Sequence, residues 1–306
     1  MARLQLTVKT EIELLLEARQ KDYDSHLAHL GIPVKCAGDI EASVRLHFVR
    51  TDGSGEPRLS ELARMLVNYI TMYCFDALKR HDLSELDRNA LFTEARELFR
   101  KSERSGQVGE MLIYFLLESV LKAPQALRKM SITTNPQDER KGSDGVHFAW
   151  NADLELLELY FAESKIWTDF GGALSDAFTS IETFHSTGLK QHELNLFSAH
   201  FRILDSPLQS KILSYVNGEN APKTRITHAC LVGFDWNEYK CLDDRRRHDF
   251  IREFEHRYAT WSTDAIRKVE AKLEVLTLKN LRFEFFFLPF KSVVAFRQLF
   301  ETALRG

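Results

Sequence analysis

The sequence predicts an α/β fold, a mixed sheet flanked by helices with an α-rich N-terminal region. Two observations predict it. Across the 306 residues, segments of strand period are preceded, separated and followed by segments of helix period, the pattern of helices packed on a sheet. No internal repeat, low-complexity tract or flexible linker interrupts that order.

Taken in turn, Glu11 to Leu30 carries helical spacing. "ASVRLHFVR" at 42–50 alternates with period two and reads as a strand, and "TDGSGEP" at 51–57 is its exit loop. "RLSELARMLVNYITMYCFDALKR" then reads as one long amphipathic helix capped by Ser60, with a second helix from about Asp87 to Glu103. The break at Ser105-Gly106 separates a supporting region, 1–104, from a domain over 105–306, and leaves the first region as the place to meet a partner. "GQVGEMLIYFLLESVL" at 106–121 is apolar all round, a buried helix, and Pro124 ends it. A loop covers 135–145. Val146–Trp150 and Leu159–Trp167 are two strands joined by a turn around "NADLE" at 151–155. Helices at 171–187 and 190–202, strands at 225–234 and 281–290, a charged helical stretch at 243–257 and a last helix from Lys291 to Leu304 complete the chain.

Composition narrows the function. Apolar residues at 44% and charged residues at 28% are ordinary globular values, and 22 Phe promise an aromatic core. A net charge of −3 means that any grip on nucleic acid must come from local basic groups. Cys36, Cys74, Cys230 and Cys241 form no CxxC pair, which suits a reducing compartment. The apolar run at the start is broken by Lys9, Glu11 and Glu13, so it is no signal peptide, and no stretch reaches the roughly 18 uncharged apolar residues of a membrane span. A soluble, cytoplasmic protein is expected. There is no HExxH, no zinc spacing of Cys and His, and no Lys-Ser/Thr after Gly53-Ser54-Gly55 to make a phosphate loop.

The chemistry concentrates in "FAESKIW" at 161–167. Side chains at i and i+2 of a strand share a face, so Glu163 and Lys165 point the same way between Phe161 and Trp167. A carboxylate and an ammonium at the end of a buried strand are costly to desolvate. A hairpin centred between Asp153 and Leu154 sets Asp144 opposite Glu163. Two convergent carboxylates make a site for Mg²⁺ (or Mn²⁺), hard cations that take oxygen ligands. Lys165 would then orient a water or face developing charge. Glu110, near the start of the buried helix, is a natural further carboxylate, to bind the metal directly or to hold Lys165 or a metal-bound water. The plainer readings are a surface ion pair for Glu163 and Lys165, a macrodipole partner for Glu110 and a turn residue for Asp144.

A helical Glu110, then Asp144, then Glu163-x-Lys165 across a hairpin resembles the PD-(D/E)xK nuclease superfamily, with Ser143 in place of the motif's Pro. The resemblance implies a mixed sheet presenting these groups at one edge, metal binding by Asp144 and Glu163 with support from Glu110, and catalysis by Lys165. The blocks "GEMLIYFLLE", "KGSDGVHF", "LYFAESKIW" and "FFFLPFKSVVAFRQLF", between 109 and 300, are more closely similar to the HamA family, nuclease subunits of the Hachiman anti-phage defence system. That likeness implies a helicase partner, HamB, and DNA as the target. A non-catalytic subunit that keeps the fold to hold nucleic acid or a partner, and an RNA-cutting toxin, are the alternatives.

Overall fold

The fold is that of a computed structural model, which describes residues 2–99, 106–132, 142–203, 206–218, 224–239, 247–278 and 281–306. In chain order the elements are α1 (Ala2–Glu13), α2 (Gln20–His26), β1 (Leu27–Lys35), β2 (Ala42–Val49), α3 (Leu59–Val67), α4 (Ile70–Cys74), α5 (Ala77–Arg80), α6 (Glu85–Leu98) and α7 (Gln107–Val120). Then come β3 (Gln125–Leu127), α8 (Lys129–Ile132), β4 (Gly145–Asn151), β5 (Leu156–Ile166), α9 (Phe170–Ser186), α10 (Leu189–His200), α11 (Ser206–Val216), β6 (Thr224–Asp235), α12 (Arg247–Val275), β7 (Arg282–Phe290) and α13 (Val293–Arg305).

All seven strands join one sheet in the order β1-β2-β7-β6-β5-β4-β3. The centre, β2-β7-β6-β5, is parallel, and β1 and β4-β3 add antiparallel margins. Parallel strands need helices on both faces, and their sequences lose alternation as a result. β7 shows this: every residue from Phe283 to Phe290 is buried. Phe283, Phe285 and Phe287 pack with Phe170 and Phe178 of α9 and with α12. Phe286, Leu288 and Phe290 face α3, α7 and α13. The Phe run is thus core on two sides, each ring contributing about 2–3 kcal/mol of burial.

Two strands of the sheet, β1 and β2, come from before residue 104, and β2 pairs with β7 near the other terminus. The sheet therefore takes strands from both sides of the boundary placed at 104/105.

Several local expectations are corrected. The Glu11–Leu30 helix stops at Glu13, restarts as α2 and gives way to β1, where Gly31 (φ 61) and Pro33 are incompatible with a helix and Leu27 is fully buried by pairing with Val49. The long helix over 58–80 is three short ones, and Asp76 caps the third through the Lys79 amide. Ser60 lies inside α3; Arg58 holds the cap position. Ser84 caps α6. The charged stretch near 243–257 belongs to α12, 29 residues long, with 243–246 outside the described residues. Residues 135–141 of the expected loop, and Cys241, also lie outside them.

Candidate active site

The β4-β5 hairpin turns at Asn151–Leu156, where the Asn151 side chain accepts from the Leu154 amide and Glu155 adopts φ 53. Its register pairs Gly145 with Ala162 and Val146 with Phe161, so the next step sets Asp144 opposite Glu163. The Asp144 amide donates to the Ala162 carbonyl at 2.8 Å, which holds that step closed. The centre of the hairpin lies where the sequence set it.

Asp144 stands at the edge of the sheet, where its Oδ2 accepts from both the amide and the hydroxyl of Ser164 at 2.6 Å. Glu163 is 8% exposed and its Oε1 lies 2.5 Å from Lys165 Nζ. Ser180 of α9 hydrogen-bonds the same carboxylate. Burial and the Asp144 carboxylate push Glu163 up to about 7, against the pull of Lys165 and Ser180. Burial alone would lower Lys165, but the carboxylates of Glu163, Asp144 and Asp176 outweigh it and raise its pKa, so it remains a cation. Cys230, paired with Glu163 on β6, is held as a neutral thiol by burial and by the same carboxylate.

The approach to Asp144 is fixed from behind. Buried Lys129 donates to the carbonyl of Ser143, to its hydroxyl and to Glu193 of α10, which is fully buried. Gly142 must be glycine here, since its φ is +107 and a Cβ would come within 1.9 Å of Glu193 Oε1.

Glu110 occupies the first turn of α7 and accepts from the Tyr73 hydroxyl at 2.9 Å. That turn packs on the face of β5 opposite Glu163 and Lys165: a Cβ on Gly109 would lie 2.8 Å from Ser164 Oγ. The structure thus gathers Asp144, Glu163 and Lys165, and sets Glu110 across the sheet, one side chain beyond the serine that holds Asp144. The sequence reading missed Ser164, Ser180 and the Lys129–Glu193 pair. Ser164 was legible, sitting between the two charged residues; the other contacts depend on tertiary packing.

The donor set can be tested against a cation. Among the described residues no three Asp, Glu, His or Cys side chains form a ready cage. What the site offers is two carboxylates and a thiol that stays neutral, an oxygen set suited to a hard ion such as Mg²⁺ that keeps several waters. Burial, and after it the repulsion of Asp144, disfavour the Glu163 anion, and a bound cation relieves both.

A family model described as HamA matches residues 32–304 of the 306. The chain belongs to the HamA family. This places it in Hachiman antiviral defence. The HamA match runs from within β1 into the last turn of α13, and so includes Glu110, Asp144, Glu163 and Lys165 as well as the end of β1 and all of β2. No curated protein matches the chain. No described helix is long and apolar enough to cross a membrane.

Proposed function

We propose that this HamA chain is a metal-dependent deoxyribonuclease, the effector subunit of a defence complex with the helicase HamB. The observation that carries the reading is the juxtaposition of Asp144 and Glu163 across a hairpin, with Lys165 paired to Glu163 at 2.5 Å on the same strand. Asp144 and Glu163 would hold Mg²⁺ or Mn²⁺. Such an ion, when bound, polarises a phosphodiester oxygen and acidifies a water. The chain's own residues do the rest. Ser164 fixes the Asp144 carboxylate by two hydrogen bonds, so its orientation costs nothing at the moment of reaction. Lys165 stays charged and faces the negative charge that develops on the phosphoryl oxygens. Glu110, braced by Tyr73, supports this set from behind the sheet.

The phosphodiester is shared by DNA and RNA, so the choice of DNA rests on the family likeness alone. The test is plasmid nicking by the full chain, alone and with its helicase. Cleavage with Mg²⁺ or Mn²⁺, its loss in EDTA and the co-purification of the two subunits are expected. Undiminished cutting in EDTA refutes the metal reading, and a chain that stays monomeric beside the helicase refutes the partnership.

A further inference from the structure

Alternation along β5 puts Phe161, Glu163, Lys165 and Trp167 in one row on the α9 face, each roughly 7 Å from the next. The row opens outward. Phe161 is fully buried, Glu163 is 8% exposed, the Lys165 side chain 23% and Trp167 47%. Carboxylates therefore occupy the closed end and an indole the mouth. The other three tryptophans differ: Trp150 and Trp236 are buried, and Trp261 stacks on Phe234 and Tyr258. Among the described residues no ring covers Trp167.

Its backbone is pinned as well. The Trp167 amide donates to the Gly233 carbonyl at 3.0 Å, continuing the parallel ladder one residue beyond the strand. Arg297 donates to the carbonyl of Ile166. Gly233 allows this closeness, since a Cβ there would lie 3.0 Å from both Ile166 and Phe290. The indole thus stands on a rigid strand end beside Lys165 rather than on a loop.

We propose that Trp167 is a positioning residue, on which an unpaired nucleobase of the bound strand stacks while the neighbouring phosphate meets Lys165. This rests on the nuclease reading of the same row. Stacking on an aromatic face is indifferent to base identity, so a site built on it would not read sequence. It also selects the substrate form. Bases inside a duplex are already stacked on each other and offer no free face, so the favoured ligand is a single strand or a frayed end.

The test uses the full chain carrying Glu163→Gln, with a labelled twelve-nucleotide oligo(dT) and a blunt duplex of the same length. Oligo(dT) should bind more tightly than the duplex and quench tryptophan emission. Adding Trp167→Ala should weaken that binding about tenfold and remove most of the quenching, whereas Trp167→Phe should keep most of the affinity. The same comparison with oligo(U) separates the two sources of unpaired bases: tighter binding of oligo(dT) assigns a DNA strand, and tighter binding of oligo(U) an RNA strand. Equal affinity of the Trp167→Ala chain for oligo(dT), no binding at all, or tighter binding of the blunt duplex each overturns the assignment. Failure of the nuclease reading looks different: the wild-type chain cuts nothing with any divalent ion, yet the Trp167-dependent binding persists.

Discussion

Replacing Glu163 by Gln removes the buried charge of a close pair of carboxylates, and the structure fixes the sign of the effect. Burial and Asp144 raise the Glu163 carboxyl from its ordinary 4.5 to about 7. A raised folded-state pKa means that the folded chain binds the proton more tightly than the unfolded one, so this group's contribution to stability is fully present below pH 4.5 and is lost as pH rises through 7. At 1.36 kcal/mol per unit, the ionised carboxylate costs the apo protein about 3 kcal/mol above pH 7. That figure already contains the attraction of Lys165 for the carboxylate, so Gln escapes the whole of it. The gain is about 3 kcal/mol, a rise in Tm of about 5 °C for a chain of this size. The assay is thermal unfolding in EDTA from pH 5 to 8, comparing Glu163→Gln with the wild type. Their difference in Tm should be small at pH 5, grow with pH and level off above 7. Added Mg²⁺ should then raise the Tm of the wild type at pH 8 and leave the variant unmoved. A difference that is flat with pH, or a wild type more stable than the variant at pH 8, refutes the account of a carboxylate raised by burial and by Asp144.

Two further predictions concern cleavage and its support. Lys165→Ala and Asp144→Ala should each abolish plasmid nicking while circular dichroism stays native; an Asp144→Ala chain that cuts at the wild-type rate removes the hairpin from the mechanism. Lys129→Met leaves the fully buried Glu193 unpaired and should destabilise by about 3–5 kcal/mol in urea unfolding, whereas adding Glu193→Leu should recover most of that stability without restoring nicking, because the Ser143 carbonyl has lost the ammonium that held it. Recovery of both together would make the pair purely structural.

Much of the hairpin was legible because its information is local. The turn "NADLE" fixes a centre, period two fixes the face, and both follow from a few adjacent residues. The helix over 106–121 was equally plain, since a run apolar all round has one destination. The failures share the opposite property. β1 read as helix because Leu27, Leu30 and their neighbours keep helical spacing, and only pairing with β2 decides otherwise. The short β3 is a strand because β4 lies beside it, with nothing in "QAL" to announce it. The break of the 58–80 helix at Asn68-Tyr69 is hidden by propensities that permit a helix throughout. Within the candidate site, residues one strand apart could be paired from sequence. Ser180 and Glu193 lie on helices whose docking is set by packing over the whole sheet.

Ser164 joins the two sides of the sheet, since its hydroxyl binds Asp144 at one side and rests against Gly109 at the other. Adding a single methyl group at Gly109 would intrude within 2.8 Å of that hydroxyl and 3.2 Å of the Ser164 Cβ, so the serine would have to shift. A genetic screen for loss of defence would therefore recover Gly109 alongside the charged residues, and a map of such hits drawn on the surface would miss it, because the position is buried in the helix on the far side. Tolerance to change at position 109 would thus report on the geometry of a carboxylate held through Ser164 from the other face of the sheet.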